Sequence, residues 1–144
     1  MPVPALTRRR FAALAAAVVL PRPARAETPI TFADVYIRQG EFTPKLTALE
    51  RQPVTMRGYM APPLKAEARF FVLTRMPMAT CPFCGSEAEW PDDIVVVTTP
   101  EPITPVAFNR PVVVSGTLEL GTRTDPETGF LSRVRIVDGS FRRA

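Results

Sequence analysis

Proline punctuates this chain so heavily that long helices have no room to form. Seventeen prolines stand against seven glycines in 144 residues. Each proline fixes its own φ, removes a backbone donor and disfavours helix at the residue before it. The chain therefore reads as many turns joining short elements. Val54, Met56, Gly58 and Met60 alternate with Thr55, Arg57 and Tyr59, the period of a half-buried strand, and Ala61-Pro62-Pro63 stops it. Ala68 to Thr74 is a second strand, in which Phe70, Phe71, Val72 and Leu73 run too continuously for one exposed face. Ile94 to Val97 is a β-branched run of buried type, ended by Thr99-Pro100. Val112, Val114, Leu118 and Leu120 line one face of a long fourth strand. Turn chemistry from Thr122 to Gly129 leads to the last strand, from about Leu131 to Val137, with Val134 and Ile136 inward and Arg133 and Arg135 outward. Thr28 to Glu50 resists assignment except at Thr43-Pro44. There Thr as N-cap and Pro at the first helical position open a short helix with Leu46 and Leu49 on one face. The fold expected is mainly β: a small five-stranded antiparallel barrel of OB type with one or two short helices.

The first 26 residues read differently. Thr7-Arg8-Arg9-Arg10-Phe11 precedes an apolar run from Phe11 to Leu20, and Ala24-Arg25-Ala26 is a small-x-small cleavage site. A run of that length is too short to span a bilayer, which takes about 20 residues. The pattern resembles twin-arginine leaders, and the basic residues Arg22 and Arg25 fit that class better than general secretion. Residues 1–26 are thus expected to be a twin-arginine signal peptide, cleaved after Ala26. Residues 27–144 then form a single soluble domain in the periplasm, with no stable membrane anchor.

Cleavage also changes the meaning of the charge. The full chain carries +4, but five of its 18 basic residues and none of its 14 acidic ones lie in the leader. Thirteen basic and fourteen acidic side chains remain, a net charge of −1. That balance gives no support for nucleic-acid binding, even on an OB-like fold. The chain has no histidine, which removes serine–histidine and cysteine–histidine hydrolase arrangements and the common imidazole metal sites.

What chemistry is left sits in Cys81-Pro82-Phe83-Cys84, the only two cysteines of the chain. Such a pair can staple a loop as a disulfide, share a metal or exchange disulfides. A thioredoxin fold is disfavoured, because only the stretch Gly85 to Asp93 separates Cys84 from the strand at Ile94, and Trp90-Pro91 interrupts it. A crossover to a parallel strand needs about a dozen residues or more. Zinc would need carboxylates or a second chain to complete its four ligands. Cu(I) is chemically easier, since thiolate and thioether donors suit it. Met76 and Met78 would share one face with that site if the second strand continued; otherwise they fill the barrel end as core. Trp90 is either a cover for a ligand or partner beside the cysteines or a core anchor of the loop. Tyr59, off the apolar face of its strand, is the second candidate partner-binding residue.

Gly58 to Pro63 (GYMAPP), Phe70 to Arg75, the CPFC block and Trp90 to Val95, together with the leader, resemble a proteobacterial family of exported proteins of unknown function. More loosely, the stretch from Val54 to Asp138 is similar to OB-like periplasmic proteins and lipoproteins linked to ABC transport or metal homeostasis. The resemblance implies no catalytic residues. It implies an accessory module with a periplasmic or membrane transporter partner. The leading expectation is accordingly a binding module whose Cys81/Cys84 loop takes a soft metal or docks a partner, rather than an enzyme. Two alternatives stay open: a thiol–disulfide oxidoreductase with Cys81 as nucleophile and Cys84 as resolver, and a structural disulfide in a partner-binding module.

Overall fold

The computed structural model of the chain describes residues 25–36, 41–63, 65–79, 93–126 and 128–144. The alternation read in the sequence becomes burial directly. Along β2 (Pro53–Met60), Val54, Met56, Gly58 and Met60 are buried, while Arg57 is exposed and Tyr59 half-buried. The other strands are β1 (Thr28–Ile30), β3 (Phe70–Thr74), β4 (Ile94–Thr98), β5 (Pro111–Thr124) and β6 (Leu131–Arg143). The fold is mainly β, one sheet of six described strands with little helix. No described helix is long and apolar enough to cross a membrane.

The strand order is β1-β2-β3-β4-β6-β5, and β2 also pairs with β5. Hydrogen-bonded neighbours can therefore be followed from β2 through β3, β4, β6 and β5 back to β2. Two features depart from the five antiparallel strands expected. β4 and β6 run parallel, Val96 facing Arg135 and Val97 facing Ile136. The sixth strand, β1, lies in the stretch that resisted assignment and pairs parallel with the first half of β2, from Thr28↔Val54 to Ile30↔Met56. It occupies the edge that β3 does not reach, since β3 meets β2 only at Tyr59 and Met60. Three residues interrupted by Pro29 carry too little periodicity to be read as a strand.

The helix at Thr43 forms as expected. Thr43 Oγ1 accepts from Leu46 N at 3.1 Å, Pro44 opens α1 (Pro44–Ala48), and Leu46 is fully buried. Before it, a 3-10 turn at Phe32–Asp34 is tied to α1 by the Lys45–Asp34 ion pair at 2.9 Å. Tyr36 and Phe42 stack at 5.5 Å beneath Arg133 of β6, whose guanidinium lies 5.7 and 5.4 Å from their ring centres. Thus the segment before β2 is fastened to the far end of the chain through cation–π contacts.

Glycine at 58 allows β3 to cross β2 closely. A Cβ there would stand 2.8 Å from both Leu73 Cγ and Thr74 O. The main core gathers Val54, Met56, Met60, Phe71, Leu73, Val95, Val97, Val114, Leu118, Val134 and Ile136, among others. A second apolar cluster of Ala61, Val72, Ile94 and Val96 occupies the opposite face of β3 and β4, with Phe70 and Phe130 packed against it. These two strands are buried on both sides, which is why their sequences run apolar without alternating.

Candidate functional site

The residues singled out in the sequence do not converge in one place. Cys81, Cys84 and Trp90 lie outside the described residues. The second strand ends at Thr74, whose hydroxyl donates to Met76 O at 2.7 Å, so the chain bends there instead of continuing. Met76 and Met78 consequently do not share a strand face, and Met76, 62% exposed, is not core filler. Met78 is half-buried. Among the described residues no three Cys, Asp or Glu side chains come together as a metal site. Tyr59 sits where the alternation places it, on the outer face of β2 opposite Thr74 and Pro111.

The structure instead brings together residues that sequence reasoning passed over. Outside β4 and β6 lies a cleft of about 410 Å³, walled by Phe70, Val96 and Phe130 and floored by Arg135, Ser132 and Val137, with Glu119, Arg123, Asp125 and Asp138 at its rim. Phe70 and Phe130 stack at 6.1 Å. Phe130 is held by the turn from β5 to β6, where Asp125 Oδ1 accepts from Thr128 N and Oγ1 at 2.8 Å each and Asp125 N donates to Phe130 O at 2.8 Å. This is the Asx-type turn that Asp125-Pro126 in the sequence signals.

Arg135 is the centre of the cleft. Its side chain is 8% exposed, although it points to the outer face of β6, as its alternation with Val134 and Ile136 demands. Nε donates to Glu119 Oε2 at 3.2 Å, and Nη1 to Gly121 O at 2.8 Å, Ser132 O at 3.2 Å and Ser132 Oγ at 3.1 Å. The acceptors come from a register irregularity: β5 shifts against β6 between Leu120 and Arg123, where Gly121 takes φ +104° and swings its carbonyl towards the guanidinium. Glu119 also receives Arg123 at 3.6 Å. Arg135 Nη2 has no hydrogen-bond partner among the described residues, yet no buried side-chain nitrogen or oxygen is left unsatisfied. Nη2 therefore keeps some contact with solvent, and Arg135 lines both this cleft and a second recess. Asp138, in the left-handed region at φ +50°, stands at the rim of this cleft and of a second, shallower recess on the other side of Glu119 and Arg135.

The arrangement offers an apolar, aromatic wall beside one fixed donor. Three acids against two arginines at the lining leave it without the positive field that phosphate chains require. The only signal in the sequence was an arginine standing between Val134 and Ile136. Its burial depends on Glu119 lying opposite, a register that sequence alone does not contain.

No family model and no curated protein matches the chain. Its fold is similar to the crystal structure of a DUF3299 family protein from Pseudomonas aeruginosa PAO1, with a TM-score of 0.54. The two share 16% identity over 83% of this chain and 97% of that one. At that identity the likeness speaks for the fold alone.

Proposed function

We propose that this chain is an exported accessory module of OB-like barrel architecture that binds a partner or ligand rather than transforming it. The run of pairings that returns to β2 supports the barrel, with β1 as an added strand and β4 parallel to β6. Carrying the binding reading is one observation: a nearly buried arginine whose Nη2 has no partner among the described residues lines the same cleft as the stacked Phe70 and Phe130. Burying a charge is costly unless its bonds are satisfied, and four hydrogen bonds hold this one in place before any ligand arrives. The fitting ligand has an aromatic or branched apolar group for the wall and an uncharged carbonyl or a single carboxylate for Nη2. A side chain and backbone carbonyl presented by a periplasmic transporter component meet that description. The Cys81/Cys84 loop belongs to the same reading as a second, soft-metal or partner-docking element, taking Cu(I) or Zn.

The test is an NMR screen of the isotope-labelled full chain against small aromatic amides and monocarboxylates. Shifts grouped at Phe70, Val96, Phe130 and Arg135, and lost in Phe130→Ala, are expected. Shifts scattered over the surface, or unchanged in Phe130→Ala, would remove the cleft as the site. Metal analysis and a disulfide-reduction assay of the same protein separate the readings of the cysteines. Stoichiometric copper or zinc supports the metal-binding loop, turnover of a disulfide supports the oxidoreductase, and a Cys81–Cys84 disulfide found by thiol titration without either supports the structural role.

A further inference from the structure

The charge that remains after the first 26 residues is nearly balanced in number, but it is not evenly placed. Strand register puts Arg57, Val113 and Arg142 in one row across the outer face of β2, β5 and β6. With neighbouring strands about 4.8 Å apart, the two arginines stand roughly 10 Å from each other at their Cα atoms, on either side of one valine. Where β5 begins, Arg110 and Arg143 border a recess of about 570 Å³ with Val106, Ala107 and Pro111. All four arginines are exposed, and none forms an ion pair with a described carboxylate. Among the other described residues after position 26, ten acids stand against eight bases, a balance of −2. Among the described residues positive charge is thus gathered on this side, where Glu27 is the carboxylate that reaches the outer face, accepting from Ser115 Oγ at 2.8 Å.

An apolar group lies on the turn that leads into Arg110. Phe108 is 39% exposed on the turn that Arg110 N closes by donating to Ala107 O at 2.8 Å. Exposed aromatic residues flanked by arginines suit the water–lipid boundary, where the ring enters the headgroup layer and the guanidinium groups pair with phosphates. A narrow acidic peptide would be better served by a groove than by a broad sheet face with an aromatic residue at its edge.

We propose that this side of the domain, with Arg57 and Arg142 on the outer face, Arg110 and Arg143 at the adjoining recess and Phe108 on the turn that leads to it, docks the protein reversibly onto an anionic phospholipid bilayer. The cleft at Arg135 is lined by other residues of the sheet and is not part of this contact, so the two proposals stand or fall separately. Docking of this kind is peripheral and screened by salt.

The experiment is co-sedimentation of the full chain with phosphatidylcholine vesicles, with or without phosphatidylglycerol, at low and at high salt. The arginines of the leader are common to every variant, so the differences between variants carry the result. Arg110→Gln with Arg142→Gln should weaken partitioning onto phosphatidylglycerol vesicles by about 25-fold, at about fivefold per arginine. Arg51→Gln with Arg69→Gln, which removes equal charge outside the patch, should change it less than twofold. Phe108→Ser should weaken binding by roughly fivefold while leaving its salt dependence unchanged. Thermal unfolding of each variant confirms that it is folded. The proposal is overturned if the patch double variant binds like the parent, or if the control pair loses as much. It is also overturned if the chain ignores the vesicles but binds polyglutamate through Arg110 and Arg142, which would make the partner an acidic protein segment.

Discussion

Arg135 shows how one side chain can be costly and necessary together. Its guanidinium is largely removed from water, and it is tolerated because Glu119, Gly121 and Ser132 together supply four acceptors. Truncation would strand two carbonyls and a carboxylate that the fold has arranged around it. Arg135→Ala should therefore lower the unfolding free energy by about 2–4 kcal/mol in urea titration, and Arg135→Lys, which keeps the charge but not the fork, should recover only part of it. Asp34 is a milder case, half-buried and paired with an exposed lysine. The hydrogen bond from Lys45 holds its carboxyl below the ordinary value of 3.8; slight burial opposes this, and two bonds from Thr31 add to it. A lowered folded-state pKa means that stability is gained above the unfolded value and lost as pH falls through the folded one. The stability difference between the parent and Asp34→Asn should be level from neutrality to about pH 5 and vanish in stronger acid, as chemical denaturation at several pH values would show. Neither role is visible at one position in the sequence, because each needs a partner brought in by the fold: Glu119 across a strand pair, Lys45 across a turn.

Among the elements, those whose identity rests on local pattern are the ones the sequence discloses. β2 is an alternation, α1 is a Thr-Pro cap before Leu46, and the β5–β6 turn is an Asp-Pro followed by Thr-Gly. The first two form as read, and the turn forms from Asp125 on, Thr122 to Thr124 lengthening β5 instead. The cap contributes one satisfied amide, and Thr43→Ala should cost about 1 kcal/mol, seen as a lower urea midpoint without a change in slope. What the pattern hides is length and partner. β6 continues to Arg143 because Gly139 lets the strand pass β4 where a Cβ would stand 2.8 Å from Val97 Cγ1. Met76 and Met78 leave the strand because Thr74 turns its hydroxyl back onto Met76 O rather than because of any change in hydropathy. The same close packing makes glycines of β2 and β5 poor sites for change. Gly58→Ala would force the added methyl against Leu73 and the Thr74 carbonyl, and about 1–3 kcal/mol of destabilisation is expected by thermal or urea unfolding.

Across the whole molecule, the pairings join parts of the chain that are far apart in sequence, as β2 with β5 and β4 with β6 show. Such topology makes folding slow, and refolding from urea should take milliseconds to seconds rather than microseconds. It also spends nearly every strand edge on a neighbour. Among the described residues β1 is the outermost strand, only three residues long, and Pro29 at its middle has no N–H to donate. A sheet that offers a second chain so short and so poor a template should resist growing from molecule to molecule. Pro29→Val would restore the missing donor and a β-branched side chain at that point, and light scattering of the concentrated protein should then reveal assembly that the parent lacks.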